Sequence, residues 1–202
     1  MSSHDGESAN GEDPFAWFKS SFERASAAES FDASRAALAT VSPGGQPAVR
    51  FVLVKKVDER GFAFFTNYNS CKGRDLSANP RAALAFHWSS IGEQVRVEGA
   101  VVRVEEAEAD AYFATRPRGS QLGAWASAQS TPIDSREALE KSLASITERF
   151  SAYEQVPRPP HWGGYRVVPS SIEFWRDRRN RMHDRIVFTR DTTSWSRTRL
   201  QP

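Results

Sequence analysis

Apolar residues along this chain change their spacing three times, and the changes outline its elements. In "DPFAWFKSSFERASAA" Phe15, Phe18 and Phe22 recur at helical spacing, behind Asp13 as an N-cap and Pro14 at the first helical position, which predicts a first helix. From Arg35 the pattern becomes that of strands. "RAALATV" and "PAVRFVLVKKV" flank the loop "SPGGQ" as a hairpin, and "DERG" turns the chain into a further strand, "FAFFTN". Ser70 is placed to cap a short helix, "CKGRDLSAN", which Pro80 follows. Two more strand-like runs come next, "RAALAFHW" and "EQVRVEGAVVRV", the second alternating with a two-residue period.

Helical spacing then returns. "EEAEADAYFAT" stops before Pro117, and "DSREALEKSLASITERF" opens on Asp134 with Glu137 three residues later, the spacing of a capping box. A proline-rich connection, "VPRPPHWGG", leads to four short strands, "YRVVP", "SIEFW", "RIVFT" and "SWSRTRL". This order predicts a mostly antiparallel β protein with peripheral helices, a barrel or a sandwich.

Composition narrows the function classes. With 202 residues the chain has the length of one domain with a substantial core, read as residues 14–202 behind a disordered acidic tail, 1–13. That tail carries four acids, no Lys or Arg, and no apolar leader segment. No apolar run approaches the roughly 20 residues that cross a bilayer. A single cysteine, Cys71, excludes an internal disulfide and a multi-cysteine metal site, and the compartment indicated is the cytoplasm. The net charge of +2 and the lack of a basic-aromatic motif argue against a nucleic-acid partner. Glycine-rich phosphate loops, H-E-x-x-H and G-x-S-x-G are all missing, and the four histidines give no metal-ligand pattern.

Four stretches carry candidate chemistry. "NSCKGR" puts Lys72 and Arg74 in the first turn of a helix, where free N–H groups suit a phosphate and where cations otherwise oppose the macrodipole. Tyr112, Arg116 and Ser120 recur every four residues; they suit a phosphate if a bend at Pro117 carries Ser120 round, and equally a solvated helix end. In "RNRMHDR" Arg181, His183 and Arg185 alternate, so a strand would aim all three at one face, where their repulsion calls for an anion or an acid. Arg50 and Lys55, five apart in "RFVLVKK", would point to opposite faces of a regular strand.

Taken together, "RFVLVKK", "FFTN", "KGRDLSANP", "EQVRVEG", "YFATRPRGSQLGAWAS", "QS", "WGGYRV", "EFW", "RMHDRIVF" and the terminal "RLQP" resemble, in the same order, the pyridoxine/pyridoxamine 5′-phosphate oxidase family. The resemblance runs from about Arg35 to Pro202. It implies an FMN-binding split β-barrel that works as a homodimer, with FMN at the subunit interface. FMN would meet Arg50, Phe51, Val52, Leu53, Val54 and Lys55, then Phe65, Thr66, Cys71, Lys72 and Gln94. Gln129, Ser130, Trp175 and Arg185 would complete the cofactor site, partly from the other subunit. The substrate phosphate would meet Lys55, Tyr112, Arg116 and Ser120, while Arg181 and His183 would hold the pyridine ring as the catalytic pair.

The implied reaction oxidises a phosphorylated B6 vitamer with oxygen to pyridoxal 5′-phosphate and hydrogen peroxide. A related flavin oxidase of another aromatic substrate, such as a phenazine precursor, and a non-catalytic flavin- or pyridoxal-phosphate-binding protein are the alternatives. The chain departs from the family at three places. Cys71 stands where an arginine is common, the N-terminal region is short and acidic, and "RDRRN" is more basic than the usual turn.

Overall fold

The computed structural model describes residues 13–192 and 194–202, so the acidic tail lies outside the described residues except for Asp13. Helix α1 (Pro14–Ala28) leads into β1 (Arg35–Val41), β2 (Pro47–Asp58), β3 (Gly61–Asn67), α2 (Cys71–Ala78), β4 (Arg81–Trp88) and β5 (Glu93–Arg103). Three helices follow, α3 (Glu106–Thr115), α4 (Arg118–Ala126) and α5 (Arg136–Arg149). The chain ends with β6 (Trp162–Arg176), β7 (Asp184–Arg190) and β8 (Trp195–Leu200). No helix among the described residues is long and apolar enough to cross a membrane.

All strand pairings are antiparallel, and six strands close on themselves. β2 pairs with β1 and β3, β1 with β4, β4 with β5, and β5 with β6, whose first half returns to β3. Tyr165, for example, faces Phe64 on β3 and Arg103 on β5. Beyond that point β6 leaves β3 and takes β7 as its neighbour, and β8 adds to β7. A barrel with a two-stranded extension results, and β6 belongs to both parts.

The two short strands expected around Pro169 are therefore one strand of 15 residues. Proline has no N–H to give the ladder, and the register shifts at this point: Glu98 faces Ser171 while Gly99 faces Pro169, leaving Ser170 over. A Cβ on Gly99 would lie 2.0 Å from the Val168 carbonyl oxygen, so only glycine permits this approach.

Alternation on β5 sends Val95 and Val97 inward with Leu38, Phe62, Phe64, Leu84, Phe86 and Val167. Helix α1 covers one opening of this core. Its Asp13 side chain accepts from Phe15 N–H, and Phe18 packs its ring 4.9 Å from Phe62 and 5.0 Å from Phe86. Burying one such ring contributes roughly 1.5–3 kcal/mol. Ser70 caps α2 as the sequence indicates. At α5 the cap is Ser135 rather than Asp134; its hydroxyl accepts from Ala138 N–H, so Glu137 falls one position short of closing a capping box.

A buried ion cluster ties the β2–β3 turn to α3. Arg166, 4% exposed, donates to Asp58 at 2.8 Å and to Glu108 at 2.6 Å, and Arg60 adds a second cation on Asp58 at 2.8 Å. Burial alone would raise the Asp58 carboxyl, but the Arg60 hydrogen bond and the Arg166 charge outweigh it and hold the group below its ordinary value. Glu93 is likewise held low, because hydrogen bonds from Arg24, Ser21 and Arg176 overcome its burial. A depressed carboxyl stabilises the fold above its unfolded pKa, and that contribution disappears as pH falls through the folded value. Urea unfolding should accordingly show stability level from neutral pH down to about 4 and falling below it. Asp58→Asn should cost about 1.5–3 kcal/mol at neutral pH and shallow the acid decline; an unchanged decline would remove Asp58 as one of its sources.

Candidate functional site

A cavity of about 490 Å³ opens where β2, β3, the start of α2 and the α3–α4 corner meet. Along β2 the two faces are distinct. Phe51, Leu53 and Lys55 alternate toward the cavity, with Phe51 72% exposed, whereas Val54 is buried in the core. Val52 also reaches the rim. Arg50 turns the other way, as its spacing from Lys55 indicates, and its guanidinium donates to Thr40 Oγ1 at 2.5 Å beside Asp75. The β2–β3 register shifts between Val54 and Lys56, so Lys55 lies at an irregularity, where its ammonium meets Asp32 at 3.3 Å.

The floor belongs to β3 and α2. Thr66, next to last in its strand, donates its hydroxyl to Gln129 Oε1 at 3.2 Å. Lys72 Nζ donates to Thr66 Oγ1 at 3.0 Å, to Gln129 Oε1 at 3.1 Å and to Ser70 Oγ at 3.2 Å. All three acceptors are neutral. Burial, with the nearby Arg50 charge adding to it, pulls the Lys72 ammonium below its ordinary value. This cation is desolvated with no carboxylate in its hydrogen-bond set, an arrangement that an anion would complete. Cys71 is exposed at the first residue of α2, its sulfur 3.3 Å from Arg74 Nη2, and it does not line the cavity. Ser130, next to Gln129, is exposed with a positive φ of 69°.

The opposite wall comes from a helical corner that the apolar pattern does not reveal. Arg116 caps the C-terminus of α3, Pro117 breaks the helix, and α4 starts at once, so Ser120 is brought round to the same cavity as Tyr112 and Arg116. Gln121 fastens the corner by donating to the Phe113 carbonyl at 2.9 Å. α4 escapes a periodicity reading because Leu122 is its one buried aliphatic residue and Gly119 and Gly123 interrupt it. The guanidinium of Arg116 lies over the Trp162 ring at 4.7 Å and the Phe113 ring at 5.5 Å. Its Nη1 is the one buried side-chain nitrogen or oxygen lacking a hydrogen-bond partner among the described residues. Burial pulls the Arg116 pKa down, against a small opposing effect of Tyr112.

Trp162, which the sequence reading left without a role, completes this wall. It stacks with Phe65 at 5.7 Å, and Phe65 stacks in turn on Tyr112 at 4.0 Å. The two glycines after it were the available signal: a Cβ on Gly164 would meet the Phe65 ring at 2.9 Å.

The remaining expected residues form a second cluster, on the extension. Gln94, Trp175 and Arg185 are cross-strand neighbours on β5, β6 and β7. Arg185 Nε donates to Glu173 at 2.7 Å, and the His183 ring lies 4.5 Å from Trp175. The strand expected to present Arg181, His183 and Arg185 together starts only at Asp184. Arg181 sits in a 3₁₀ turn with a positive φ of 60° after Asn180 at 59°, and both are exposed. The β6–β7 connection, residues 177–183, is built around this turn, and Asp184, bonded by Arg178 and Arg199, takes up much of the local charge. His183 Nδ1 lies 3.2 Å from the Arg178 backbone nitrogen and 3.1 Å from Asp177 Oδ1, so the turn holds the ring from this side.

Residues 24–150 match the family model for pyridoxamine 5′-phosphate oxidase, and 162–202 match the pyridoxine 5′-phosphate oxidase C-terminal dimerisation region. Trp175, His183 and Arg185 of the second cluster thus lie in the dimerisation region, and Gln94 faces Trp175 from β5. A pyridoxine/pyridoxamine 5′-phosphate oxidase of Rubrobacter xylanophilus is 55% identical over 94% of this chain and 87% of its own length. Its namesake from Anaeromyxobacter dehalogenans is 55% identical over 94% and 96%. Among solved structures, PhzG from Burkholderia lata, in complex with tetrahydrophenazine-1-carboxylic acid, superposes with a TM-score of 0.88 at 32% identity, over 94% of this chain and 93% of that one. With the split-barrel fold, both family regions and these relatives in agreement, the chain belongs to the pyridoxine/pyridoxamine 5′-phosphate oxidase family and is an oxidoreductase.

Proposed function

We propose that the protein binds FMN and oxidises pyridoxine 5′-phosphate, pyridoxamine 5′-phosphate or both to pyridoxal 5′-phosphate, with oxygen reduced to hydrogen peroxide. One observation carries this reading. A single cavity holds two half-buried cations without carboxylate partners among the described residues, Lys72 at one end and Arg116 at the other wall, an arrangement that suits two phosphorylated molecules side by side.

The residues present fit FMN. Lys72, Thr66 and Gln129 would take the flavin phosphate, and the apolar β2 face of Phe51 and Leu53 would lie along the flavin. Gln94, Trp175 and Arg185 would come from the partner subunit, since they form a separate cross-strand cluster where β5 meets the C-terminal dimerisation region. FMN supplies a hydride acceptor for the 4′ carbon of the substrate and an electron donor to oxygen.

The protein's own part is binding and alignment. Arg116 offers a directional fork to the substrate phosphate, Tyr112 and Ser120 add hydroxyls, and Lys55 closes the rim. Arg181 and His183 would fix the pyridine ring. Orientation of this kind is worth several powers of ten in rate.

A second reading is oxidation of a phenazine precursor, favoured by the likeness to PhzG. Against it, identity to the curated phosphate oxidases is 55% and to PhzG 32%, and an uncompensated Arg116 suits a phosphorylated substrate. Anaerobic mixing separates the two. Pyridoxamine or pyridoxine phosphate should bleach the bound flavin of a dimer carrying one FMN per chain; bleaching by a tetrahydrophenazine carboxylate alone would establish the second reading instead.

Arg116→Ala should raise the KM for the phosphorylated substrate by roughly tenfold to a hundredfold, the loss of one charge-assisted contact, with flavin content unchanged. Unaltered substrate kinetics would remove Arg116 from the site. Arg181→Ala and His183→Ala should each slow single-turnover flavin reduction while the flavin stays bound, and reduction at the parent rate in both would contradict their placement on the substrate ring.

A further inference from the structure

The half-buried guanidinium of Arg116 needs something to hold it, and no carboxylate among the described residues does so. Its nearest neighbours are π-faces, Trp162 at 4.7 Å and Phe113 at 5.5 Å. An aromatic face attracts a cation through its quadrupole without using the N–H donors, whereas a carboxylate would occupy them. Nη1 accordingly remains unbonded. The same indole is nearly parallel to Tyr112, 10° apart at 6.2 Å, and to Phe65, 11° apart at 5.7 Å. Trp162 is itself fixed: it is 6% exposed, begins β6 opposite Asn67, donates its N–H to the Pro159 carbonyl at 3.0 Å, and accepts on its carbonyl from Arg158 at 2.6 Å.

We infer that Trp162 is the positioning residue of the phosphate subsite, holding Arg116 and Tyr112 ready for the substrate phosphate and thereby setting the preference for phosphorylated over unphosphorylated vitamers. The inference rests on the assignment of the substrate phosphate to Arg116. Trp162 touches neither phosphate nor flavin in this scheme; it acts through the cation laid on its face.

The test is a double-mutant cycle on the FMN-loaded dimer, using Trp162→Phe, Trp162→Leu and Arg116→Ala, with each Trp162 variant also made in the Arg116→Ala background. The readouts are the Kd for pyridoxal 5′-phosphate by equilibrium dialysis, the KM and kcat for pyridoxamine phosphate, and the melting temperature. Trp162→Leu should raise Kd and KM together by about three- to thirtyfold, the range of a desolvated cation–π contact, with kcat little changed. Trp162→Phe, which keeps a ring with a weaker π-face, should fall between it and the parent. In the Arg116→Ala background neither variant should weaken binding further.

A merely structural tryptophan would lower the melting temperature and leave Kd alone, or would shift Kd equally in both backgrounds; either result overturns the inference. If Trp162→Leu does not fold, Trp162→Phe carries the same comparison. Unchanged Kd in Arg116→Ala would instead overturn the phosphate assignment itself. A large effect in Arg116→Ala with none in the Trp162 variants would sink only the positioning role.

Discussion

The double pairing of β6 is the constraint on which the rest of the molecule depends. Residues Trp162–Val167 bond to β3 on one edge, and Tyr165–Val167 bond to β5 on the other at the same time, which closes the barrel. Residues from Ser171 onward trade β3 for β7 and build the extension. The change of partner needs the register shift at Glu98/Gly99, which the close approach of Gly99 to the Val168 carbonyl permits. Both halves of the site hang from this strand. Trp162 at its start stands under Arg116, and Trp175 near its end carries the row of Gln94 and Arg185.

Charge is handled differently in the scaffold and in the cavity. Arg166, Arg158 and Arg185 each meet carboxylates within hydrogen-bonding distance, so their cost of burial is offset locally. Lys72 rests on two hydroxyls and an amide oxygen, and Arg116 on π-faces. Neither arrangement neutralises its cation. Such sites cost stability in the free protein and recover it when an anion binds, which is the pattern expected of preorganised phosphate subsites. The departure at Cys71 fits the same geometry. Position 71 is exposed outside the cavity lining, so the buried part of the cationic site depends on Lys72 rather than on its neighbour.

Much of this was legible from the chain alone, for physical reasons that stay within a few residues. The Asp13 and Ser70 caps, the Phe15/Phe18/Phe22 face, the β1–β2 hairpin and the alternation of β5 follow from steric and hydrogen-bonding preferences that do not need the rest of the fold. The ordered motifs carried the family, and the four-residue spacing of Tyr112, Arg116 and Ser120 marked a shared site even though the helix between them breaks.

What the sequence determined by itself was therefore local geometry, the family and the identity of the charged candidates. Tertiary structure alone decided which of them are uncompensated and which are grouped. Strand and turn preferences could not tell that Pro169 sits at a bulge within one long strand, because that depends on Gly99 across the sheet. Alternation placed Arg181, His183 and Arg185 on one strand face, and the 3₁₀ turn within the β6–β7 connection, which delays the strand to Asp184, overrode it. The glycines after Trp162 signal close packing but not what the ring packs against, since a π-face under a guanidinium is made by two residues 46 positions apart whose meeting is fixed only when β6 closes the barrel.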